Sequence, residues 1–196
     1  MTNSHETIGL IAVIIGVIGY IPYYRNIFRG TTKPHPFTWL GFSILNGITF
    51  FAQVATGGGP GAWVSVITTI ATLGIAILAF QKGEKRITVF DWACFIGALI
   101  GIILWKLTSN PLSAVVIVTI ADFLALLPTY RKAFLRPHEE TATLYAMSVF
   151  KYLLSIFALT TFSLTTALFP IAITLYNVSV VVLLVVRRRR LVTKAI

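Results

Sequence analysis

Apolar runs alternate with short polar or basic connections along the whole chain. Broken by Gly, Pro or charge clusters, these runs place seven helical spans at residues 8–24, 37–55, 61–80, 88–107, 111–130, 142–161 and 166–186. A helix needs about 20 predominantly apolar residues to cross a bilayer. Seven spans therefore use nearly all of the 196 residues and leave no room for a soluble domain. The expected fold is an all-α integral membrane protein with seven transmembrane helices. Thr56-Gly57-Gly58-Gly59-Pro60 reads as a turn, since Gly and Pro disfavour helix interiors, and it makes helices two and three a tight hairpin.

Composition agrees with the pattern. The chain is 57% hydrophobic and 11% charged, with a mean hydropathy of +0.87, which excludes an ordinary soluble domain and makes lipid the expected solvent. A net charge of +10 raises the question of nucleic acid. The basic residues, however, sit in short clusters between apolar runs, a membrane-topology pattern, and no nucleic-acid partner is expected. Three Lys or Arg follow helix one (Arg25, Arg29, Lys33), three follow helix three (Lys82, Lys85, Arg86) and three follow helix five (Arg131, Lys132, Arg136). Five more end the chain (Arg187, Arg188, Arg189, Arg190, Lys194), against one, Lys106, in the opposite set of connections. Fourteen against one puts the N-terminus outside and the C-terminus in the cytosol of a plasma or inner membrane. Each basic cluster is read as a topology signal; lipid-headgroup binding by residues 187–190 would be unspecific. Residues 1–7 carry no Lys or Arg, so the first helix is expected to be retained rather than cleaved as a signal. Cys94 is the single cysteine and offers neither a disulfide nor a cysteine metal site.

An internal repeat organises the spans. Ile21-Pro22-Tyr23-Tyr24-Arg25-Asn26-Ile27-Phe28 aligns with Leu127-Pro128-Thr129-Tyr130-Arg131-Lys132-Ala133-Phe134, matching Pro, Tyr, Arg and Phe at an offset of 106. With one residue dropped from the next loop, Thr38, Ser43 and Asn46 fall on Thr143, Ser148 and Lys151. Residues 1–81 then form a first three-helix repeat, 82–110 a linker with helix four, and 111–196 a second repeat with a basic cytosolic tail. Both prolines lie at the same membrane face, so the halves are parallel and related by an axis along the membrane normal.

With three helices, a linker, three more helices and the two Pro-x-Tyr-Arg segments, the chain resembles the SWEET and PQ-loop superfamily over essentially its whole length. Many members place Gln after the proline, whereas here Tyr23 follows Pro22 and Thr129 follows Pro128. Bacterial nicotinamide riboside carriers and KDEL-receptor-like proteins share the seven-helix plan. The resemblance implies alternating access, solute bound between the triplets, and Pro22 and Pro128 as hinges. It also favours asparagines of helices three and seven in the pocket, of which Asn177 is present. Its first-half counterpart is Thr68, Thr69 or Ala71. Physics leaves the prolines open between hinge and helix terminator, because a proline removes one helical hydrogen bond yet is tolerated in membrane helices.

Polar groups at mid-membrane depth are costly, which makes them the best site candidates. Asp122 and Lys151 lead. At about 1.5 Å per residue they lie roughly 12 Å and 13 Å from the same face, so direct contact is expected. Such a pair is either a buried salt bridge between neighbouring helices or a solute or proton site. In the first half the equivalent positions are Gly16 and Asn46. Asn46, Gln53 and Asn177 can bond a polar ligand or another helix. Trp39, Trp63, Trp92 and Trp105 lie near helix ends, where indole favours the interface. Trp39, and Tyr145 in the corresponding region, are the ones placed to stack on a ring. His5, His35 and His138 lie in loops or the tail without ligand clusters, and neither a metal nor a cofactor is expected.

The function expected is an alternating-access carrier for a small polar solute such as a sugar, vitamin or nucleoside. The alternative is a non-transporting seven-helix receptor or scaffold of the PQ-loop or KDEL-receptor type. An enzyme is disfavoured by the lack of paired intramembrane carboxylates, of a His-Glu-x-x-His motif and of a Gly-x-Ser-x-Gly nucleophile. A retinal protein is disfavoured because helix seven has no lysine.

Overall fold

Seven α-helices carry the chain in the computed structural model, which describes residues 2–55, 59–108 and 110–193. They are α1 Thr2–Phe28, α2 Pro36–Ala55, α3 Trp63–Lys82, α4 Val89–Leu107, α5 Pro111–Leu135, α6 Ala142–Phe157 and α7 Leu164–Thr193. Short 3-10 turns occupy Gly59–Ala62 and Pro137–Glu139, and no strand is present among the described residues. The expected turn at Thr56, Gly57 and Gly58 lies outside them. Among the described residues, four segments are long and apolar enough to cross a membrane: Ser4–Phe28, Gly59–Lys82, Leu112–Leu135 and Leu164–Leu191. Val89–Leu104 and Ala142–Phe157 are apolar but shorter.

The ends follow local chemistry. Asn110 caps α5 by accepting from the Leu112 and Ser113 amides, with Pro111 pre-set at the first helical position. Thr88 and Asp91 bond each other's amides and form a capping box on α4. Ser163 and Thr166 do the same on α7. That box leaves 158–163 as a connection, so α6 stops at Phe157 and not near 161 as expected. In contrast, α7 runs through the arginine tract, because Arg is a good helix former and cations complement the C-terminal dipole. Pro22 and Pro128 lie inside α1 and α5, so they do not terminate their helices. Pro170 is a third intrahelical proline, in α7. His5 belongs to α1, not to a loop or tail, and His138 to the second 3-10 turn.

The helices pack as a ring. α3 lies against both α1 and α2, α7 lies against both α5 and α6, and the two sets meet through α1 on α6 and α2 on α5. α4 packs on α5 and α2. Small residues allow close approach: a Cβ on Gly41 would stand 2.8 Å from Ala125 Cβ, and one on Gly101 2.8 Å from Ala121 Cβ.

Polarity is distributed inside out. Ser43, Asn46, Ser65, Thr68, Thr72, Thr119, Asp122 and Lys151 are buried, while Ile14, Ile18, Ile70, Ile77, Ile100 and Val182 are exposed. Hydroxyls survive in this interior by bonding carbonyls one turn back, as Thr68 does to Val64 (2.7 Å) and Thr119 to Val115 (2.7 Å).

One end of the bundle holds an ionic network with a buried centre and a partly exposed rim. Lys132 and Glu140 pair there with both side chains fully buried, and Glu140 also accepts from the Tyr23 and Tyr145 hydroxyls at 3.2 Å each. Arg131 pairs with Asp91 at 2.6 Å, Lys33 with Glu139 at 2.8 Å, and Arg136 with both Glu139 and Glu84. Arg188 donates to the Pro137 carbonyl and Arg187 to that of Phe134. Reading the basic clusters as topology signals alone is therefore incomplete, since several of their residues fasten connections together. Counting only Lys and Arg passed over their acidic partners.

His35, just before α2, is enclosed in this network, 3.5 Å from Asp91. Burial pushes its imidazole down to about 4, helped by Lys132 and Arg131 and opposed by Asp91. Burial alone would raise the Glu84 carboxyl, but the Arg86 amide and the Arg136 guanidinium hold it below its usual range. Both shifts give one sign. Between about pH 6.5 and pH 4 the unfolded chain binds the extra His35 proton, so stability is present above that window and falls with pH through it. Glu84 adds a loss at the acid end. His35 is expected to contribute a loss on the order of 3 kcal/mol between pH 7 and pH 4, read as the difference between the wild type and His35→Gln in thermal unfolding of detergent-solubilised protein. In His35→Gln the loss between pH 6.5 and pH 5 is expected to disappear.

Candidate functional site

A cavity of about 40 Å³ opens among the helices of the ring. It gathers Trp39 and Asn46 from α2, Asp122 from α5, Tyr145 and Lys151 from α6, and Asn177 from α7, all of which the sequence singles out. Gln53 is the one remaining candidate, and its side chain lies outside the described residues.

Helical spacing explains the convergence. Tyr145, Ser148, Lys151 and Tyr152 recur at three to four residues on α6 and so share one face. Ser65, Thr68 and Thr72 are a matching stripe of buried hydroxyls on α3. Of the three first-half counterparts considered for Asn177, Thr68 lines the cavity.

The expected contact between Asp122 and Lys151 does not form. Both are only 2% exposed and both face the cavity. Lys151 Nζ instead donates to Thr68 Oγ1 at 2.9 Å and lies 4.5 Å and 5.3 Å from the ring centres of Tyr152 and Tyr20. Asp122 Oδ1 has no hydrogen-bond partner. Depth arithmetic placed the two at the same level but could not see that aromatic faces hold the ammonium to one side. Space for the lysine stem comes from Gly16, where a Cβ would stand 2.7 Å from Lys151 Cδ. Gly16, which the sequence alignment pairs with Asp122, thus stands opposite Lys151.

The asparagines are partly committed. Asn46 Nδ2 donates to the Phe42 carbonyl of its own helix (2.8 Å) while its Oδ1 accepts from the Tyr152 hydroxyl (3.2 Å). Asn177 Nδ2 donates to the Ile173 carbonyl (2.7 Å). Among the indoles, Trp39 is buried with an unpartnered Nε1, whereas Trp63 and Trp92 are exposed. The Trp105 side chain lies outside the described residues. Tyr23 packs against Trp39 with ring centres 4.9 Å apart and planes tilted by 51°, and donates to Glu140, as does Tyr145, so the cavity wall connects directly to the ionic network.

Sequence reasoning missed Tyr20, Thr72, Tyr152 and Tyr176, which also line the cavity. The i, i+4 hydroxyl stripe on an otherwise apolar α3 was a legible signal. Tyr20 and Tyr152 gave none, because an aromatic in a membrane helix reads equally well as core, belt or pocket.

A small, mostly apolar cavity with a lysine amine, a carboxyl whose Oδ1 has no partner and several aromatic faces can bind a small molecule with a few polar groups by hydrogen bonds and ring contacts. The sequence matches no protein-family model, no curated protein and no solved structure.

Proposed function

We propose that this protein is a multi-pass membrane carrier that moves a small polar solute by alternating access through the central cavity. The observation that carries the reading is Asp122, which lines the same cavity as Lys151 and whose buried Oδ1 has no partner. A group so costly to keep unpaired is retained where a ligand or proton uses it. The inside-out polarity of the bundle supports residence in lipid. The ring order supports two parallel triplets, α1–α3 and α5–α7, because each contact in one has its counterpart four helices on. In that scheme α4 is the linker, the N-terminus is outside and the C-terminus cytosolic in a plasma or inner membrane. The intrahelical Pro22 and Pro128 are the hinges, as in the SWEET and PQ-loop plan.

The test is uptake into liposomes reconstituted with purified protein, using labelled amino acids, sugars, nucleosides and vitamins. Saturable uptake above empty liposomes is expected. Saturable binding in detergent with no uptake would replace the carrier by a receptor. A reporter fused after Ile196 is expected to be cytosolic, and one placed in 57–59 external; a cytosolic signal from the latter would refute the seven-span topology.

A further inference from the structure

The cavity is lined by one acidic and one basic side chain, and the two do not pair with each other. Asp122 offers a carboxyl oxygen with no partner. Lys151 offers an ammonium held by one hydroxyl and two aromatic faces, with N–H capacity to spare. Both side chains are buried beyond nine-tenths, so bulk water compensates neither well.

A ligand with a single charge would satisfy one of these groups and leave the other exposed to a low-dielectric wall. A neutral polyol would satisfy neither with a charge. A molecule bearing a separated positive and negative group satisfies both and keeps the site electroneutral. Size points the same way. A volume of about 40 Å³, at ~10–15 Å³ for each water centre, holds about three waters, or roughly 90 Å³ of liquid. That suits a ligand of a few heavy atoms; a hexose or nucleoside requires the helices to open.

We infer that the cavity takes a small zwitterion of the amino-acid type, its carboxylate on Lys151 and its ammonium on Asp122. This rests on the carrier reading and narrows its solute class. The aromatic faces of Tyr20 and Tyr152, now beside the Lys151 ammonium, then flank the bound molecule. The asymmetry of the site gives the ligand a fixed direction, since the position equivalent to Asp122 in α1 is Gly16.

The experiment measures binding to purified full-length protein by thermal shift and isothermal titration. Probes are glycine, L-alanine and γ-aminobutyrate, which space the two charges differently. Propylamine and propionate each carry one charge, and glucose and uridine serve as neutral polar controls. At least one zwitterion is expected to bind 10-fold or more tightly than either single-charge analogue, with glucose and uridine weaker still. Asp122→Asn removes the negative end and should make propionate the better ligand. Lys151→Met should make propylamine the better one. The wild-type ligand series stands even if a variant fails to fold. The inference is overturned if no zwitterion binds, if glucose or uridine binds best, or if both folded variants keep the wild-type order of preference. Binding of a zwitterion without uptake overturns the carrier reading alone, and uptake of glucose or uridine without zwitterion binding overturns the zwitterion alone.

Discussion

Glu140→Gln is expected to cost about 3–5 kcal/mol of stability, the range for breaking one side of a buried ion pair. Glu140 is 3% exposed and Lys132 is fully buried. With the carboxylate gone, the Lys132 ammonium keeps neutral acceptors, among them the backbone carbonyls of Lys33 and Glu139, but loses its counter-charge. The glutamine amide has one accepting oxygen where Glu140 has two, so it can serve Lys132 or the Tyr23 and Tyr145 hydroxyls of α1 and α6 but not both. The cost comes from leaving a charge uncompensated, so removing both charges should restore much of it. The double variant Glu140→Gln with Lys132→Met is accordingly expected to unfold well above the single variant in a detergent thermal melt. If the single variant melts with the wild type, Glu140 is not the tie that joins α1, α5 and α6 at this end.

The second large effect has the opposite sign on stability. Asp122→Leu is expected to raise stability by about 1–3 kcal/mol, the cost of a buried polar group without a partner, and to abolish uptake. Neighbouring space in the cavity accepts the larger side chain. A purely structural Asp122 requires the reverse, since removing a useful bond destabilises. A folded, stabilised and inactive variant is the signature of a group kept for its ligand at a cost in stability. Normal uptake by Asp122→Leu would remove Asp122 from the proposed site.

These two acids differ in how far the sequence could carry them. Asp122 stands alone in an apolar run, where any charge is conspicuous against the cost of burying it, so the sequence marked it without help from the fold. Glu140 sits in a polar connection beside Glu139, where charge is ordinary. Its role arises only because the α5–α6 connection folds back over Lys132 and brings in Tyr23 from a helix 117 residues away. The same holds for Glu84 and Asp91, whose partners Arg136 and Arg131 are 52 and 40 residues distant.

Sequence alone determined the helices and most of their limits, because hydropathy and Gly, Pro or charge breaks act locally and each residue reports its own preference. It also marked six residues that share one cavity, since polar groups in apolar helices turn inward wherever the bundle forms. What it could not determine was how those groups meet. Asp122 and Lys151 matched in depth, but depth is one coordinate, and the rotation of each helix about its axis decides the rest. Packing of Tyr20 and Tyr152 around the ammonium, with Gly16 making room for its stem, sends Lys151 to Thr68 and leaves Asp122 Oδ1 without a partner. Only the tertiary structure fixes that separation, because it depends on side chains from four helices at once, α1, α3, α5 and α6, which no local pattern records.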